Sequence, residues 1–396
     1  MPAPAAALAR RCRNNLVAAM ACIAVFSLAF GLSLPLLSLL MDYRGTDIRL
    51  IGLITGFGPV GTVLIAPLIP VLAARYRFRR MAMCFVLITA IALVGFKLTS
   101  NLWVWFALRI AMSMAGGGLF ALSEALIVRA AQGPASGRII ALYAVVMSGG
   151  FAAGPMLLTI TGIEGWTPFI VGAAISLAAL APLFFSDGEP GEGESDATPD
   201  ESASFLSFAR RAPVLLAAVA VFSLLDAAMI GLLPVYALRK GFDVETASLA
   251  LGVLMAGNIV LQYPIGWVAD TISRHVVMLG CALITAIACL AVPVTIGTWP
   301  MWPVLAIVGA AAGPVYTLAM AIMGDRFDGS ALIAGSSAFA AMFSVGSMVG
   351  PMVAGWAMHQ FGPDGLPFSL CAFFCALAVL ILARNRFSRH MQSKGP

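Results

Sequence analysis

Twelve apolar runs, near 16–40, 50–74, 81–98, 102–127, 139–161, 167–185, 212–238, 247–268, 276–297, 301–323, 332–357 and 367–383, take up most of this sequence. Each is bounded by charge, Gly or Pro. The hydrocarbon core of a bilayer is about 30 Å thick and a helix rises about 1.5 Å per residue, so roughly 20 apolar residues cross it. With no water to satisfy backbone N–H and C=O groups, runs of this kind must be helical. The composition agrees, with 61% hydrophobic and 10% charged residues, where a soluble domain carries roughly 25% charged residues. A mean hydropathy of +0.98 extends over the whole length, so the chain is not a soluble domain with one anchor. Arg10, Arg11 and Arg13 lead into the first run without a secretory cleavage site, which predicts a first spanning helix there.

The charges give an orientation. If the N-terminus is cytoplasmic, seventeen Lys and Arg residues fall on cytoplasmic segments and five, Arg44, Arg49, Lys97, Arg239 and Lys240, on outer loops. The positive-inside rule then puts both termini in the cytoplasm. The net charge of +5 is accounted for by topology rather than by a nucleic-acid surface. Between the sixth and seventh runs, the acidic, Gly- and Pro-rich stretch SDGEPGEGESDATPDESAS (186–204) has no apolar period and reads as a flexible linker. The seven cysteines form no CxxC pair and lie in or beside apolar runs, as buried structural thiols do.

The string AVFSL occurs at 24–28 and again at 220–224, an offset of 196 in 396 residues. At the same offset SGGFAAGPM (148–156) lies over SVGSMVGPM (344–352), and PVLAARYRFRR (70–80) over GWVADTISRHV (266–276), without a gap. Three matches at one spacing mark a duplicated six-helix unit. The expectation is an all-α membrane protein of 12 transmembrane helices in two pseudo-symmetric halves, 1–185 and 212–396, joined by a cytoplasmic linker at 186–211. A parallel duplication of six helices is the organisation of one large transporter class, whose substrate site lies near the midplane.

On these features the chain resembles the major facilitator superfamily over its whole length. The strings LLPVYALRKGF (232–242), QYPIGWVADTISRH (262–275) and GGGLFALSEALIVRAA (116–131) resemble the YcaD-like branch of bacterial permeases. The resemblance implies alternating-access transport in a bacterial inner membrane. It also implies a loop motif, G-x-x-x-D-R/K-x-G-R/K-R/K, of which Gly266, Asp270 and Arg274 remain in the second half. In the first half Pro70, Ala74 and Arg77 stand where Gly, Asp and Gly are expected. This predicts an asymmetric conformational latch, with Asp270 held against the start of the fifth helix near Arg138, and with Gly266 allowing a tight helix turn. Simple topology and folding is the other reading.

Gly150, Gly154 and Pro155 match Gly346, Gly350 and Pro351 as two GxxxGP elements. Small residues one turn apart permit close helix approach, and the Pro loosens the backbone ladder. The first copy resembles the superfamily's antiporter motif, although Leu158 and Thr159 replace its last two glycines, so helix packing alone stays open.

Three charges sit well inside the runs: Arg109, Glu124 and Asp226. Charge in hydrocarbon costs several kcal/mol, about 2.5–3.5 even on lenient scales, which makes each a candidate for proton coupling. Arg109 stands where the superfamily's R-x-x-Q-G motif has its arginine, with Met112 and Ser113 in place of Gln and Gly. Glu124 is either a gating residue or an interfacial partner of Arg129. Asp226 is either a carboxylate that takes up and releases a proton or a permanent partner of Arg109. Ser27, Phe30, Ser33, Tyr143, Asn258, Gln262, Tyr316, Phe339 and Phe343 are candidates to line a substrate cavity, with ordinary helix packing as the alternative. A mainly apolar lining suits an amphipathic organic molecule better than a free sugar.

An enzyme would need a catalytic constellation, and no HExxH, GxSxG or GxxxxGK[ST] is present; His275, His359 and His390 stand at run ends or in the tail. No cofactor, metal or nucleic acid is expected. The predicted function is secondary transport of a small-molecule substrate by a monomer in a lipid bilayer, as proton-coupled efflux by antiport. Proton-coupled uptake or simple facilitation is the alternative.

Overall fold

A computed structural model of the protein describes residues 3–66, 68–130, 136–185, 210–327 and 329–392. Of the stretch 186–211 expected as a linker, residues 186–209 lie outside the described residues, as do the side chains of Asp270, Arg129 and Arg138. The described residues are helical with no strand. In chain order the helices are α1 (Ala3–Tyr43), α2 (Ile48–Gly56), α3 (Gly58–Ile65), α4 (Leu68–Arg75), α5 (Phe78–Leu98), α6 (Leu102–Ala130), α7 (Ser136–Thr161), α8 (Thr167–Ala178) and α9 (Leu180–Phe184). They continue as α10 (Pro213–Arg239), α11 (Val244–Thr271), α12 (Arg274–Thr295), α13 (Met301–Arg326), α14 (Gly329–Phe361) and α15 (Gly365–Gln392). Among the described residues, 11 helical spans are long and apolar enough to cross a membrane, and α7 adds the shorter apolar stretch Val145–Thr161.

Two runs that read as single helices are interrupted. The second breaks at Phe57 and again after Ile65. Pro59, in the string GFGPVG, has no N–H to give to the carbonyl four residues before it. The sixth breaks at Ala179, three residues before Pro182. Each still forms one span, Ile48–Ile65 and Thr167–Phe184.

The chain divides into two compact units, Met1–Leu40 with Phe57–Glu194, and Met41–Gly56 with Ser195–Pro396. In the first unit α1 and α7 meet through glycine. A Cβ at Gly154 would stand 2.2 Å from the Gly31 carbonyl carbon and 2.3 Å from the Leu32 nitrogen. Behind this contact lies a buried core that includes Ile65, Phe85, Val86, Leu119 and Leu183. In the second unit α10 packs along α14, where a Cβ at Gly350 would lie 2.2 Å from the Leu224 carbonyl oxygen. Helix α2 packs on α14 too, and a Cβ at Gly52 would lie 2.3 Å from the Pro351 oxygen.

The offset of 196 residues recurs contact by contact. The Phe26 and Phe120 rings are 5.4 Å apart, and their counterparts Phe222 and Tyr316 are 5.5 Å apart. A Cβ at Gly150 would meet the Ser27 hydroxyl at 2.0 Å, and one at Gly346 would meet the Ser223 hydroxyl at 2.0 Å. Gly61 abuts the Ile110 carbonyl as Gly257 abuts the Ala306 carbonyl, and Gly117 abuts Thr62 as Gly313 abuts Asn258. Even the turns correspond: Gly45 and Gly241 both take positive φ, 75° and 93°, after a helix end. The duplication therefore extends from sequence to side-chain packing.

Asp47 and Asp243, another pair at this offset, begin the helices that follow those turns. Asp243 accepts from the Thr246 N–H at 2.9 Å, and Asp47 accepts from the Arg49 N–H at 2.8 Å. The Arg49 guanidinium also pairs with Asp47, at 2.7 Å. Hydrogen bonds from the Arg49 side chain and backbone lower the Asp47 carboxyl from 3.8 to about 2. Since the folded value is depressed, the stability this pair contributes is complete above 3.8 and disappears as pH falls through about 2. Carboxyl carbon resonances should show an Asp47 midpoint near 2 in the wild type, moving up towards 3.8 in Arg49→Ala. An unmoved midpoint would mean that Arg49 is not the cause.

The same end of the second unit carries further ion pairs. Arg239 meets Asp42 at 2.6 Å, Lys240 meets Asp364 at 2.8 Å, and His359 lies 3.6 Å from Asp47. The Tyr236 hydroxyl donates to Asp364 at 3.1 Å.

Candidate functional site

In the first unit, Arg109 on α6 is 2% exposed. Its Nη1 donates to the Ser33 hydroxyl on α1 at 3.0 Å, and its guanidinium lies over the Phe30 ring at 5.3 Å. The space beside it is open because residue 58 is Gly; a Cβ there would come within 3.1 Å of Nη2. Among the described residues of this unit no carboxylate pairs with Arg109. The cation is therefore held by a hydroxyl dipole and an aromatic face, both weaker than a counter-charge. Phe30 itself belongs to an aromatic cluster, 4.8 Å from Phe26, which in turn is 5.4 Å from Phe120 and 5.8 Å from Phe151.

A hydrogen bond to a charged group contributes roughly 1.5–3 kcal/mol. Ser33→Ala should therefore lower thermal stability by that order and leave Arg109 with Phe30 alone. Stability equal to wild type in a melting assay would show that water replaces the hydroxyl.

In the second unit, Asp226 is half-buried on α10, one turn from Phe222 and on the same helical face. Phe222 packs with Tyr316 at 5.5 Å and Phe343 at 6.3 Å, and the latter two rings are 5.9 Å apart. Phe339, 3% exposed, precedes Phe343 by one turn of α14. Among the described residues Asp226 has no hydrogen bond or ion pair. The register of the duplication relates the two charges to their surroundings. Asp226 stands where the first unit has Phe30, and Leu305 stands where it has Arg109. Each half has thus placed one charge in an otherwise shared aromatic and apolar frame.

The other expected lining residues separate. Ser27 is fully buried, donates to the Ile23 carbonyl at 2.8 Å, and seats Gly150, so it packs helices rather than facing a cavity. Tyr143 hydrogen-bonds Ser123 at 3.0 Å, one residue from Glu124. Glu124 is exposed, at the end of its span. Asn258 is pressed on Gly313, and its buried Oδ1 has no hydrogen-bond partner among the described residues. Gln262 is exposed. The sequence reading missed Phe26, Phe120, Phe151 and Phe222 as parts of the site. Phe26 and Phe222 were in view as the third letter of AVFSL, and Phe120 and Tyr316 stand at the same offset.

The latch residues are only partly brought together. Arg274 pairs with Asp325 and donates to the Ala321 carbonyl at 3.2 Å. Gly266 lies inside α11 with open space where its Cβ would be. The side chain of Asp270 is outside the described residues. The GxxxGP glycines make the close approaches expected of them, against Ser27 and Gly31 for Gly150 and Gly154, and against Ser223 and Leu224 for Gly346 and Gly350. Pro155 and Pro351 are buried inside α7 and α14.

Comparison with known proteins agrees with this architecture. Residues 19–256 and 241–396 match the family model described as Major Facilitator Superfamily. The MFS-type transporter YfkF of Bacillus subtilis (strain 168) is 28% identical over 349 residues, covering 86% of this chain and 87% of the relative. YcaD of Escherichia coli O7:K1, another MFS-type transporter, is 27% identical over 329 residues, 82% of this chain and 83% of the relative. Among solved structures, the nucleoside transporter NupG superposes with a TM-score of 0.77 at 14% identity, covering 93% of this chain and 98% of that one. A D-xylose-proton symporter superposes with a TM-score of 0.71 at 16% identity, covering 93% and 95%. At these identities the structures speak for the fold alone.

Proposed function

The chain belongs to the Major Facilitator Superfamily, and from that premise we propose that it exports a small amphipathic organic solute in exchange for protons, by alternating access. The observation that carries the coupling is Asp226, half-buried in a spanning helix, a turn from an aromatic cluster and without a partner among the described residues. An unpaired carboxylate at this depth costs about 2.5–3.5 kcal/mol even on lenient scales, and taking up a proton removes that cost. A group in that position is suited to exchange its proton when a solute arrives. The aromatic faces of Phe222, Tyr316 and Phe343 provide an apolar lining for such a solute, with Asp226 to select its charge. Arg109, held by Ser33 and Phe30, is the corresponding fixed cation of the first unit.

Leu158 and Thr159, which replace two glycines of the antiporter motif, favour a second reading, proton-coupled uptake. The excess of Arg and Lys on one set of helix ends supports an orientation with both termini cytoplasmic, and a monomer in the bacterial inner membrane is the setting we propose for it.

Proteoliposomes with an imposed pH gradient test the proposal, with amphipathic cations, sugars and organic acids added in turn. Antiport predicts that one class dissipates the gradient while moving against the proton flow. Movement of solute in the direction of the protons would favour uptake. Equilibration of labelled solute without proton movement would make the protein a facilitator and overturn the coupling.

A further inference from the structure

At the arginine-rich end of the second unit, the ends of α10, α11, α12, α13 and α15 enclose two cavities. The larger, about 400 Å³, is open to one side and is lined by Ile272, Arg274, His275, Asp325 and Arg326, with Ala269 and Ile322. The smaller, about 130 Å³, shares His275 and Arg326 with it and adds Arg211 and Arg384. The two therefore share part of their lining. Arg274 is committed to Asp325 and to the Ala321 carbonyl. Arg384 is positioned by its hydrogen bond to the Arg211 carbonyl at 2.7 Å. Among the described residues no carboxylate pairs with Arg211, Arg326 or Arg384. Arg326 and Arg384 line the smaller cavity together with His275, and Asp325, the carboxylate among the described lining residues, is engaged by Arg274, so an anion beside these two arginines would supply a counter-charge.

Two further features show what kind of anion fits. The N-terminus of α12 opens at the same place, with Arg274 and His275 as its first residues and no side-chain cap from Ser273, so the positive end of a 22-residue helix adds to the arginines. Ile272, which lines the larger cavity, is 52% exposed, and Val276, in the first turn of α12, is 54% exposed, a short strip of apolar surface at the turn between α11 and α12. Such a strip suits acyl chains and the membrane interface. Guanidinium groups match phosphate oxygens in a bidentate way, and basic pockets between spanning helices are suited to anionic head groups.

We propose that this paired cavity binds the phosphodiester head group of an anionic membrane phospholipid, with its chains along Ile272 and Val276. The phosphate sits between Arg326 and Arg384, and the lipid holds together the helix ends that contribute them. Because none of these residues enters the coupling reading, failure of one leaves the other standing.

The test uses the full-length protein in nanodiscs and in detergent, with phosphatidylglycerol, phosphatidylcholine and inorganic phosphate as probes. Native mass spectrometry and thermal melting are the readouts. Phosphatidylglycerol should be retained and should raise the melting temperature, whereas phosphatidylcholine and inorganic phosphate should not. In R326Q/R384Q the apparent affinity for phosphatidylglycerol should fall by roughly thirtyfold, as expected for two arginines near an anionic lipid. Melting in phosphatidylcholine should stay at the wild-type value. If the double variant does not fold, the single variant Arg326→Gln carries the test, with a loss of roughly fivefold expected. Equal effects of phosphatidylcholine and phosphatidylglycerol would overturn the proposal, as would a folded variant that keeps full affinity. Stabilisation by inorganic phosphate alone would make this a free-anion site and overturn the lipid assignment.

Discussion

Asp226→Asn is expected to reduce pH-gradient-driven solute movement to the level of empty vesicles, with insertion and melting behaviour close to wild type. The substitution preserves shape and removes the ionisable group. In a carrier whose coupling runs through this carboxylate, the loaded protein can still change conformation but can no longer exchange a proton for solute. Counterflow, which needs no net proton movement, should therefore survive while uphill transport disappears. Because Asn in hydrocarbon costs less than an unpaired carboxylate, folding should be at least as favourable as before. Accumulation at the wild-type rate in the Asn variant would falsify the assignment. Simultaneous loss of counterflow would move Asp226 from coupling to solute binding, a distinction labelled-solute exchange reads directly.

The second large effect is on folding. Gly154→Ala should be strongly destabilising, because its Cβ would be 2.2 Å from the Gly31 carbonyl carbon, and backbone cannot swing aside as a side chain can. Overpacking of this kind costs about 1–3 kcal/mol and occasionally more. It outweighs the gain of up to about 1 kcal/mol from replacing Gly by Ala inside a helix. Gly149, five residues earlier on the same helix, has nothing within 4 Å of its Cβ position. Gly149→Ala should thus be neutral or slightly stabilising. Melting of both variants by fluorescence-detected size exclusion separates a packing requirement from a general need for glycine in this helix. Equal loss in the two would point to backbone flexibility instead.

The spanning architecture was legible because a bilayer imposes a length on each apolar run, and length can be read without knowing any neighbour. The breaks at Phe57 and Ala179 were signalled by Pro59 and Pro182, but a proline inside a span can equally kink or interrupt, and packing decides between them. The charges at 109 and 226 were visible for the same reason as the spans: polar groups are conspicuous where they are costly. Their surroundings were not. That Phe30 lies over Arg109, and that Ser27 serves Gly150 rather than a cavity, depends on which helices meet. A string such as AVFSL carries no record of its partners. Gly266, which the motif singles out for a tight helix turn, lies inside α11 with open space beside it, a setting that the string itself does not record.

Residues 41–56 belong with the second compact unit although they precede it by some 150 residues of chain. They bring Gly52 against the Pro351 carbonyl, Ile48 against Gly355, and Asp42 to Arg239. A half-gene that starts after the acidic stretch 186–204 therefore encodes an unfinished body. It would leave the Gly355 groove of α14 uncovered and the Arg239 guanidinium without its carboxylate. Co-expressing the two halves as separate polypeptides would still supply the missing piece, because the first fragment brings it along. In a chain built by duplication, the inheritance of the two copies and the division of labour between them follow different borders.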